Sequence, residues 1–358
     1  MSEKKVTIYD IAEKSACSAV TVHRALTGKG RISAATKERV LQVADELGYK
    51  ANPAAQGLRR TPIKLGAVLF CPVEEYVDDI VDGIAAAGES LEKYNVSTDI
   101  RKISYTDTKT CLTAMCRHID ELAATGCRGI LLFASAWLDE LSDLTACIAR
   151  HTQSGVQFAT VANDIPLDGK VAHVGVNALM AGSMAAELLA LSCRDHAVAL
   201  LVASNDSPVG RDYVDGFRRF AADNVFSRIV LYEHFDDPTQ VAAVTRQMLS
   251  ENPDLRGVYM TTASSVLACR VLKNDRSLSV VTTDLLAETP TLLQNKTAAA
   301  TIFQNPFKQG RTALRTLYRS LLGEAVESTA LITPHILLSS NLHSFLFNKG
   351  ALPYESDL

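Results

Sequence analysis

The sequence contains no run of about 18 uncharged apolar residues, the length that a membrane-spanning helix needs. Its first residues, MSEKKVTIYDIAEK, include no apolar segment and no small-residue cleavage site, so we expect no signal peptide and a cytoplasmic location. The eight cysteines are scattered, none forms a Cys-x-x-Cys pair, and no histidine accompanies them at zinc-finger spacing. We therefore predict reduced, mostly buried thiols and no metal site.

Signatures of common enzyme classes are also lacking. The sequence has no Gly-x-Gly-x-x-Gly, no Walker A motif and no Gly-x-Ser-x-Gly. His151 and Asp164 could be taken as a catalytic pair, but no nucleophile motif accompanies them. These absences predict that the chain is not an enzyme and needs no cofactor.

What the sequence does have is an uneven distribution of charge. The chain of 358 residues carries a net charge of −4 and is 47% hydrophobic, which suits two or three folded domains. Residues 1–64 hold 12 Lys and Arg against six Asp and Glu, a net charge of +6, so the remainder carries −10. A small basic segment on a larger acidic body indicates that the basic segment meets a polyanion.

The basic segment has the pattern of three short helices. Thr7, with Asp10 three residues later, predicts the capped start of a first helix, and Ser18 predicts the start of a second over residues 19–26. Ser33 predicts the start of a third helix, which Gly48 would end. Two short helices joined by about four residues and supported by a third are typical of the helix-turn-helix that reads DNA in the major groove.

The residues that carry this pattern resemble the DNA-binding head of the LacI/GalR (lac repressor) family. The similar strings are VTIYDIAEKSACSAVTVHRAL and ISAATKERVLQVADELGYKANPAAQGLRR, which span residues 6–60. The resemblance implies a DNA-binding domain over residues 1–50 and a hinge helix with its linker over 51–63. The chain departs from the family with Ala16-Cys17-Ser18, where Gly-Val-Ser is usual, and with His23, where Ser is usual.

The resemblance also implies the residues that contact DNA. Ala19, Val20 and Arg24 would read bases, and Arg24 suits a bidentate contact to guanine. Ala55 and Leu58 of the hinge would enter the minor groove as an apolar wedge. The residues expected to contact phosphates are Thr7, Tyr9, Ser18, Thr21, His23, Asn52, Arg59 and Arg60. For His23, a phosphate contact, a carboxylate partner and a pH-dependent role all remain open.

From Lys64 onward, apolar runs alternate with amphipathic segments. The predicted strands are 65–70, 129–133, 158–161, 197–202, 257–260 and 279–282, and the predicted helices include 76–94, 112–124, 181–191 and 211–222. This alternation predicts doubly wound parallel sheets, and about 280 residues suit two lobes.

This region resembles the sensor of the same family and sugar-binding proteins of the ribose-binding type. The similar strings are GVQFATVANDIP, VAHVGVNALMAG, GRDYVDGFRRF and AAATIFQNPFKQGRTALRTL. The resemblance implies a periplasmic-binding-protein-like body over residues 64–345, followed by a short tail, 346–358. One lobe would hold residues 65–164 and 291–322, and the other 165–290 and 323–342, so that the chain crosses between lobes three times.

The position of each motif implies the lining of a cleft between the lobes. Asp284 stands where relatives grip sugar hydroxyls, and a carboxylate can accept several hydrogen bonds from a diol. Ala134, Thr262 and Ala263 replace polar residues that relatives use, which favours a polyol, a modified sugar or a non-sugar ligand over a standard sugar. The residues expected to bind the effector are Tyr76, Trp137, Asn163, Asp164, Arg211, Tyr213, Thr262, Asp284 and Gln304.

The resemblance therefore implies a ligand-responsive transcriptional regulator, expected to be a repressor. A homodimer would bind a pseudo-palindromic DNA operator, and a small sugar- or polyol-like effector would control it without any membrane partner. The alternative is a solute-binding protein of the same body fold, which the basic head opposes. Whether the effector releases or promotes DNA binding stays open.

Overall fold

The protein is described by a computed structural model that covers residues 6–27, 31–47, 61–135, 140–223, 225–272 and 277–346. The chain divides into two compact units. The small unit comprises residues 1–61 with 93–95, and the large unit comprises residues 62–92 with 96–358.

The small unit contains the three predicted helices. They are α1 (Ile8–Lys14), α2 (Ala19–Thr27) and α3 (Ala34–Glu46). Each begins after the hydroxyl residue that the sequence indicates. Thr7 and Asp10 form a capping box, Ser18 Oγ accepts from the backbone N–H of Thr21 at 3.1 Å, and Ser33 Oγ accepts from that of Thr36 at 3.2 Å. The predicted helix-turn-helix is thus confirmed.

The three helices of the small unit bury one apolar core. Its members come from one face of each helix and are Ile11, Val22, Ala25, Val40, Val43 and Ala44. The turn between α1 and α2 depends on Ala16, whose φ of 52° is left-handed. The family usually has glycine there, and glycine adopts this conformation without steric cost.

The large unit contains two six-stranded sheets. The first sheet is parallel throughout, with the spatial order β11 (Thr329–Ile332), β5 (Ala172–Val176), β4 (Gln157–Val161), β3 (Cys127–Ala134), β1 (Ile63–Phe70) and β2 (Val96–Lys102). The helices of this lobe are α4 (Glu74–Glu92), α5 (Thr108–Ala124), α6 (Ser142–Gln153) and α12 (Pro306–Leu321).

The second sheet has the order β12 (His335–Leu337), β10 (Ala300–Phe303), β9 (Ser279–Thr283), β8 (Leu255–Met260), β6 (Ala197–Val202) and β7 (Arg228–Glu233). Only β12 runs antiparallel to its neighbour in this sheet. The helices of this lobe are α7 (Ala178–Cys193), α8 (Pro208–Phe220), α9 (Pro238–Glu251), α10 (Ser265–Leu272) and α11 (Thr289–Gln294). A short helix α13 (Leu342–Leu346) follows β12. The predicted two-lobed α/β body is confirmed.

The lobes exchange chain segments at positions other than those predicted. The chain crosses after β5, after β10 and after β11, so the three crossings are real but the predicted boundaries near 164, 290 and 322 are wrong. The strand β5 returns to pair with β4, because the backbone N–H of Val171 bonds to the carbonyl of Phe158 and the register continues from there. The polar residues after β4 therefore end a strand without ending the lobe.

A close helix pair supports the second lobe. A Cβ on Gly182 of α7 would lie 2.1 Å from the carbonyl oxygen of Tyr213, and one on Gly216 of α8 would lie 1.9 Å from that of Leu179. The hydroxyl of Ser183 donates to the carbonyl of Gly216 at 2.8 Å. Only residues without a Cβ allow α7 and α8 to approach this closely, and this contact fixes Tyr213.

All eight cysteines are free thiols, six of them buried, as the sequence analysis expects. None of the helices in the described part of the chain combines the length and the apolar character that a membrane-spanning helix requires.

Candidate functional site

The helix α2 presents an exposed face in the small unit. Val22 and Ala25 turn into the core, whereas Arg24 is exposed and Val20 keeps 60% of its surface exposed. Val20 and Arg24 are four residues apart and therefore lie on one side of the helix. Ala19 and His23, which are half-buried, follow the same spacing beside them. This places the three predicted base-reading residues where a major groove could reach them.

The residues predicted to contact phosphates are only partly described. Tyr9 is 69% exposed on α1. The hydroxyl of Thr7 bonds to Asp10 Oδ2 at 2.6 Å, and that of Ser18 lies 2.9 Å from that of Thr21, so these three groups stabilise helix starts. Asn52, Arg59 and Arg60, together with Ala55 and Leu58 of the predicted wedge, lie outside the described residues.

In the large unit, a cavity of about 690 Å³ lies at the carboxyl ends of strands from both sheets. This edge is where open α/β sheets bind ligands. Eight of the nine residues predicted for the effector line this cavity, although they come from six separate segments of the chain. The eight are Tyr76, Asn163, Asp164, Arg211, Tyr213, Thr262, Asp284 and Gln304. Trp137 lies outside the described residues.

Asp284 is the most deeply buried carboxylate of the cavity. It follows β9, is 1% exposed and has a left-handed φ of 70°. Gln304, which follows β10, donates to it from its backbone at 3.2 Å and from Nε2 at 2.7 Å. Burial raises the pKa of Asp284 to about 7, and the hydrogen bonds from Gln304 oppose that rise. The carboxylate is thus close to the midpoint of its titration at neutral pH.

Two tyrosines face Asp284 from opposite lobes. Tyr76 opens α4 and packs edge-on against Phe133, with ring centroids 5.9 Å apart. Tyr213 packs edge-on against Tyr259 at 6.3 Å, and no described residue bonds to its buried hydroxyl. Burial, together with nearby ionisable groups that include Asp284, holds the pKa of both phenols well above the usual range. Tyr213 therefore keeps its proton, and its hydroxyl is a buried donor beside the cavity without a partner among the described residues.

Asp164 is held by its own lobe. Its Oδ1 forms an ion pair with Lys170 and accepts from Thr160 Oγ1 at 3.2 Å. The Thr160 hydroxyl also lies 3.0 Å from Nδ1 of the buried His173, and burial lowers the pKa of that histidine. Nearby, Asn163 donates to the carbonyl of Ala134 at 3.3 Å. Of the two carboxylates predicted for the cleft, Asp164 is the one with a cationic partner.

The cavity contains two carboxylates that were not predicted from the sequence, Asp206 and Asp236. Asp236 follows β7 and accepts from Ser264 Oγ at 3.1 Å, and its backbone N–H donates to His234 Nδ1 at 3.2 Å. Phe235 and Asp236 both have left-handed backbones, with φ of 53° and 50°, and Phe235 is 45% exposed. Backbone strain in consecutive non-glycine residues is typical of functional sites. The sequence feature that could have indicated Asp236 is the strand-like run RIVLYE, which precedes this loop.

Charge in the cavity is predominantly negative. Four carboxylates line it, those of Asp164, Asp206, Asp236 and Asp284, against the single guanidinium of Arg211 among the described lining residues. Arg211 is exposed and donates to the carbonyl of Asp206 at 2.8 Å. Ala134 and Ala263 also line the cavity, so two positions carry methyl groups where the family uses polar side chains.

A hydrogen bond between a backbone N–H and a carboxylate joins the lobes beside the cavity. The backbone N–H of Ala287, in the loop after Asp284, donates to Glu75 Oε2 at 2.7 Å, and Glu75 precedes Tyr76 in α4. This contact ties the loop of one lobe to the helix start of the other.

Comparison with known families agrees with the two units. The family described as bacterial regulatory proteins, lacI family, matches residues 7–52, and the family described as the periplasmic binding protein domain matches residues 69–325. The chain is a lacI-family regulator with a periplasmic binding protein domain.

The chain is similar to known transcriptional regulators. It is 24% identical over 351 residues to the HTH-type transcriptional regulator pepR1 of Lactobacillus delbrueckii subsp. lactis, which covers 94% of this chain and 98% of the relative. It is 32% identical over 130 residues to the ribitol operon repressor of Klebsiella aerogenes, which covers 34% of this chain and 47% of the relative. These relatives are regulators and not enzymes.

Among solved structures, the regulator is similar to GanP, a glucose-galactose binding protein from Geobacillus stearothermophilus. The TM-score is 0.67 at 20% identity, and the match covers 79% of this chain and 99% of GanP. This likeness concerns the fold of the large unit. The role of each cavity residue stays a prediction.

Proposed function

We propose that this regulator binds operator DNA as a homodimer and that a neutral sugar or polyol in the cavity controls that binding. The proposal rests on the position of Asp284. Its buried carboxylate accepts two hydrogen bonds from Gln304 and lies in the cavity between the two sheets. A ligand held there touches both lobes, so its binding energy acts on their relative position. The name of the ribitol operon repressor, which is similar to this chain, supports a polyol.

The charge of the cavity selects against anionic ligands. A phosphorylated sugar would bring two negative charges toward the carboxylates of the cavity, of which Asp164 already pairs with Lys170, and the cation among the described lining residues is Arg211, which is exposed. Neutral hydroxyls suit the site better, because carboxylates accept hydrogen bonds from them and the Tyr213 hydroxyl can donate to their oxygens. The effector is therefore uncharged and rich in hydroxyl groups.

DNA recognition rests on the small unit. Arg24 and Val20 would read base edges from α2, and Tyr9 would contact the backbone. Residues 51–63 would form the hinge that transmits the state of the body, which spans residues 64–345. A dimer matches a pseudo-palindromic operator, because two-fold protein symmetry pairs with two-fold half-sites. Such a regulator works in the cytoplasm, where its DNA lies, and the cavity binds its ligand without catalysis.

A thermal-shift screen of the full chain tests the effector class. The panel contains neutral sugars, polyols, amino sugars and sugar phosphates. A true effector at 100 times its dissociation constant stabilises the folded state by about 2.7 kcal/mol. We expect neutral polyhydroxy compounds to stabilise the parent and to lose this effect in Asp284→Ala. Stabilisation by sugar phosphates alone, or effects that persist in Asp284→Ala, would contradict the assignment.

A selection from random-sequence DNA tests the regulator itself. We expect an enriched palindrome whose affinity for the protein changes when the effector from the first screen is added. Binding that ignores the effector would favour a solute-binding role for the large unit.

A further inference from the structure

A second group of chemically active side chains lies away from the cavity, between α5 and α6. Cys116 and Asp120 are four residues apart on α5, and Cys147 and His151 are four residues apart on α6. Residues at this spacing share one face of a helix. The two helices pack against each other, so both pairs meet at one seam. None of the four residues lines the effector cavity.

Three of these side chains converge on one point. Single donor atoms of Asp120, Cys147 and His151 all lie within 4.8 Å of one another. His151 Nε2 is 2.7 Å from Asp120 Oδ1, and Cys147 Sγ is 3.8 Å from the same oxygen. The seam thus brings together an imidazole nitrogen, a thiol sulfur and a carboxylate oxygen, a mixed donor set.

The spacing of these atoms is close to that of a tetrahedral metal site. Bond lengths of about 2.0–2.3 Å from zinc to nitrogen, oxygen and sulfur place neighbouring ligand atoms about 3.4–3.6 Å apart. With these bond lengths, Asp120 Oδ1 and His151 Nε2 would have to move apart by less than about 1 Å to admit the ion. The Asp120 side chain is half exposed, so it can move and the ion can enter from solvent.

Cys116 supplies a candidate for the fourth position. Its half-buried thiol contacts the thiol of Cys147, and it precedes Asp120 by one helical turn. A rotation of its side chain would turn the sulfur toward the shared point. With Cys116 the donor set is two sulfurs, one nitrogen and one oxygen, and without it a water completes the tetrahedron.

We propose that Asp120, Cys147 and His151, with Cys116 as the candidate fourth ligand, bind Zn²⁺ or another borderline-soft divalent cation at the seam of α5 and α6. Thiolate and imidazole donors favour such cations over Mg²⁺ and Ca²⁺, which prefer oxygen. On binding, the Cys147 thiol gives its proton to solvent, so affinity rises with pH. The sequence analysis missed this site because the two ligand pairs are separated by a whole strand and belong to different helices.

The competing interpretation is a hydrogen-bonded surface network without a metal. Arg150 supports that interpretation, because its guanidinium lies 3.4 Å from Asp120 Oδ1. Its side chain is 67% exposed, however, so it can turn into solvent when a cation takes its place. Another pair on α5 provides a matched control. His118 Nδ1 lies 3.3 Å from Glu121 Oε2, which reproduces the histidine–carboxylate contact outside the proposed site.

Titration of the metal-free full chain with Co²⁺ tests the proposal, with a thiol-free reductant present to keep the cysteines reduced. We expect one equivalent to produce a thiolate-to-cobalt charge-transfer band in the near ultraviolet and the intense visible bands of tetrahedral cobalt. Zn²⁺ should displace Co²⁺ and abolish both signals. Weak octahedral bands alone, with no thiolate band, would overturn the proposal.

The variants separate ligation from folding. We expect Cys147→Ser to abolish the charge-transfer band, and His151→Ala and Asp120→Asn to weaken Co²⁺ binding at least about tenfold. Asp120 is exposed, so its variant should fold, which circular dichroism verifies. His118→Ala should bind Co²⁺ like the parent. Equal binding by Asp120→Asn, Cys147→Ser and the parent, or equal losses in His118→Ala and His151→Ala, would show that this seam is not the site.

Discussion

Gln304 holds both oxygens of the Asp284 carboxylate, with its backbone N–H at 3.2 Å from Oδ1 and its Nε2 at 2.7 Å from Oδ2. Gln304 is itself fixed, because its carbonyl accepts from Nε2 of the buried Gln309 at 2.9 Å. Asp284 follows β9, Gln304 follows β10, and Gln309 belongs to α12 of the other lobe. This chain of contacts connects the most buried charge of the cavity to both lobes.

The first prediction concerns the titration of Asp284. Its pKa is about 7 in the folded protein, compared with about 3.9 in an unfolded chain. Folding therefore favours the protonated form, and the free energy of unfolding should fall as pH rises from about 4 to 7. In Asp284→Asn this decline should disappear, and the variant should gain on the parent by up to about 1.4 kcal/mol per pH unit. Urea unfolding at pH 5, 6 and 8 measures the difference.

Effector affinity should show the opposite trend with pH. The ionised carboxylate accepts hydrogen bonds from hydroxyl groups more strongly than the protonated acid does, so affinity should rise up to about tenfold per pH unit below pH 7 and then level off. Isothermal calorimetry with the effector from the thermal-shift screen measures this. Asp168→Asn, which changes an exposed carboxylate outside the cavity, should keep the parent's profile. A flat profile in the parent would remove Asp284 from the ligand contact.

The second prediction concerns base reading by α2. Arg24→Ala should lose about 1–3 kcal/mol of binding to the selected operator, since a bidentate contact to guanine is worth that much. Binding to unrelated DNA should weaken far less, because it rests on total charge. Gel-shift titrations of both duplexes at one salt concentration measure the ratio. Equal losses on both would show that Arg24 contacts only phosphate.

The sequence predicted the central strands and missed the outer ones. All six predicted strands, for example 129–133 and 197–202, fall within β1, β3, β4, β6, β8 and β9, which are covered on both faces and read as continuous apolar runs. The edge strands β2 and β7 are half-exposed along most of their length. Polar residues interrupt β2 (VSTDIRK), whereas β7 (RIVLYE) has an apolar run that is not among the predicted strands. The strands that precede the crossings between lobes, β5, β10 and β11, are short. Their place in a sheet depends on pairing with other strands of the folded chain.

Asp236 was missed together with the strand that precedes it, β7. Asp284 directly follows the predicted strand in SVVTT, whereas RIVLYE, which precedes Asp236, is not among the predicted strands. The left-handed backbones of Phe235 and Asp236 were equally invisible, because neither residue is glycine. Resemblance to the family predicted eight of the residues that line the cavity, and other lining residues such as Asp236 were identified only in the folded structure.

The third prediction concerns the contact of α7 with α8. Gly216→Ala would place a Cβ 1.9 Å from the carbonyl oxygen of Leu179, so the helices must separate. We expect a loss of about 3 kcal/mol or more in the free energy of unfolding, as in overpacked cores. Gly126→Ala is the control, because its Cβ meets nothing within 4 Å and only its φ of 84° is strained, at about 1 kcal/mol. Comparable losses would mean that the helices can yield.

The fourth prediction concerns the turn that orients α2. Ala16 has a left-handed φ of 52°, which costs an ordinary residue about 1–2 kcal/mol, whereas glycine gives back only about 0.5–1 kcal/mol in backbone entropy. Ala16→Gly should therefore stabilise the small unit by about 0.5–1 kcal/mol. Amide hydrogen exchange of the full chain measures this as slower exchange at Ile11, Val22 and Ala25, which are buried in its core.

A second substitution of alanine by glycine, at a position without left-handed strain, tests whether the turn causes this stabilisation. Ala35 lies exposed in the first turn of α3, where glycine has no left-handed strain to relieve. Ala35→Gly should therefore lose several tenths of a kcal/mol, in line with helix propensity. Opposite signs at positions 16 and 35 would establish that this chain departs from its family at a strained turn. The same sign at both would mean that the protein accommodates Ala16 without strain.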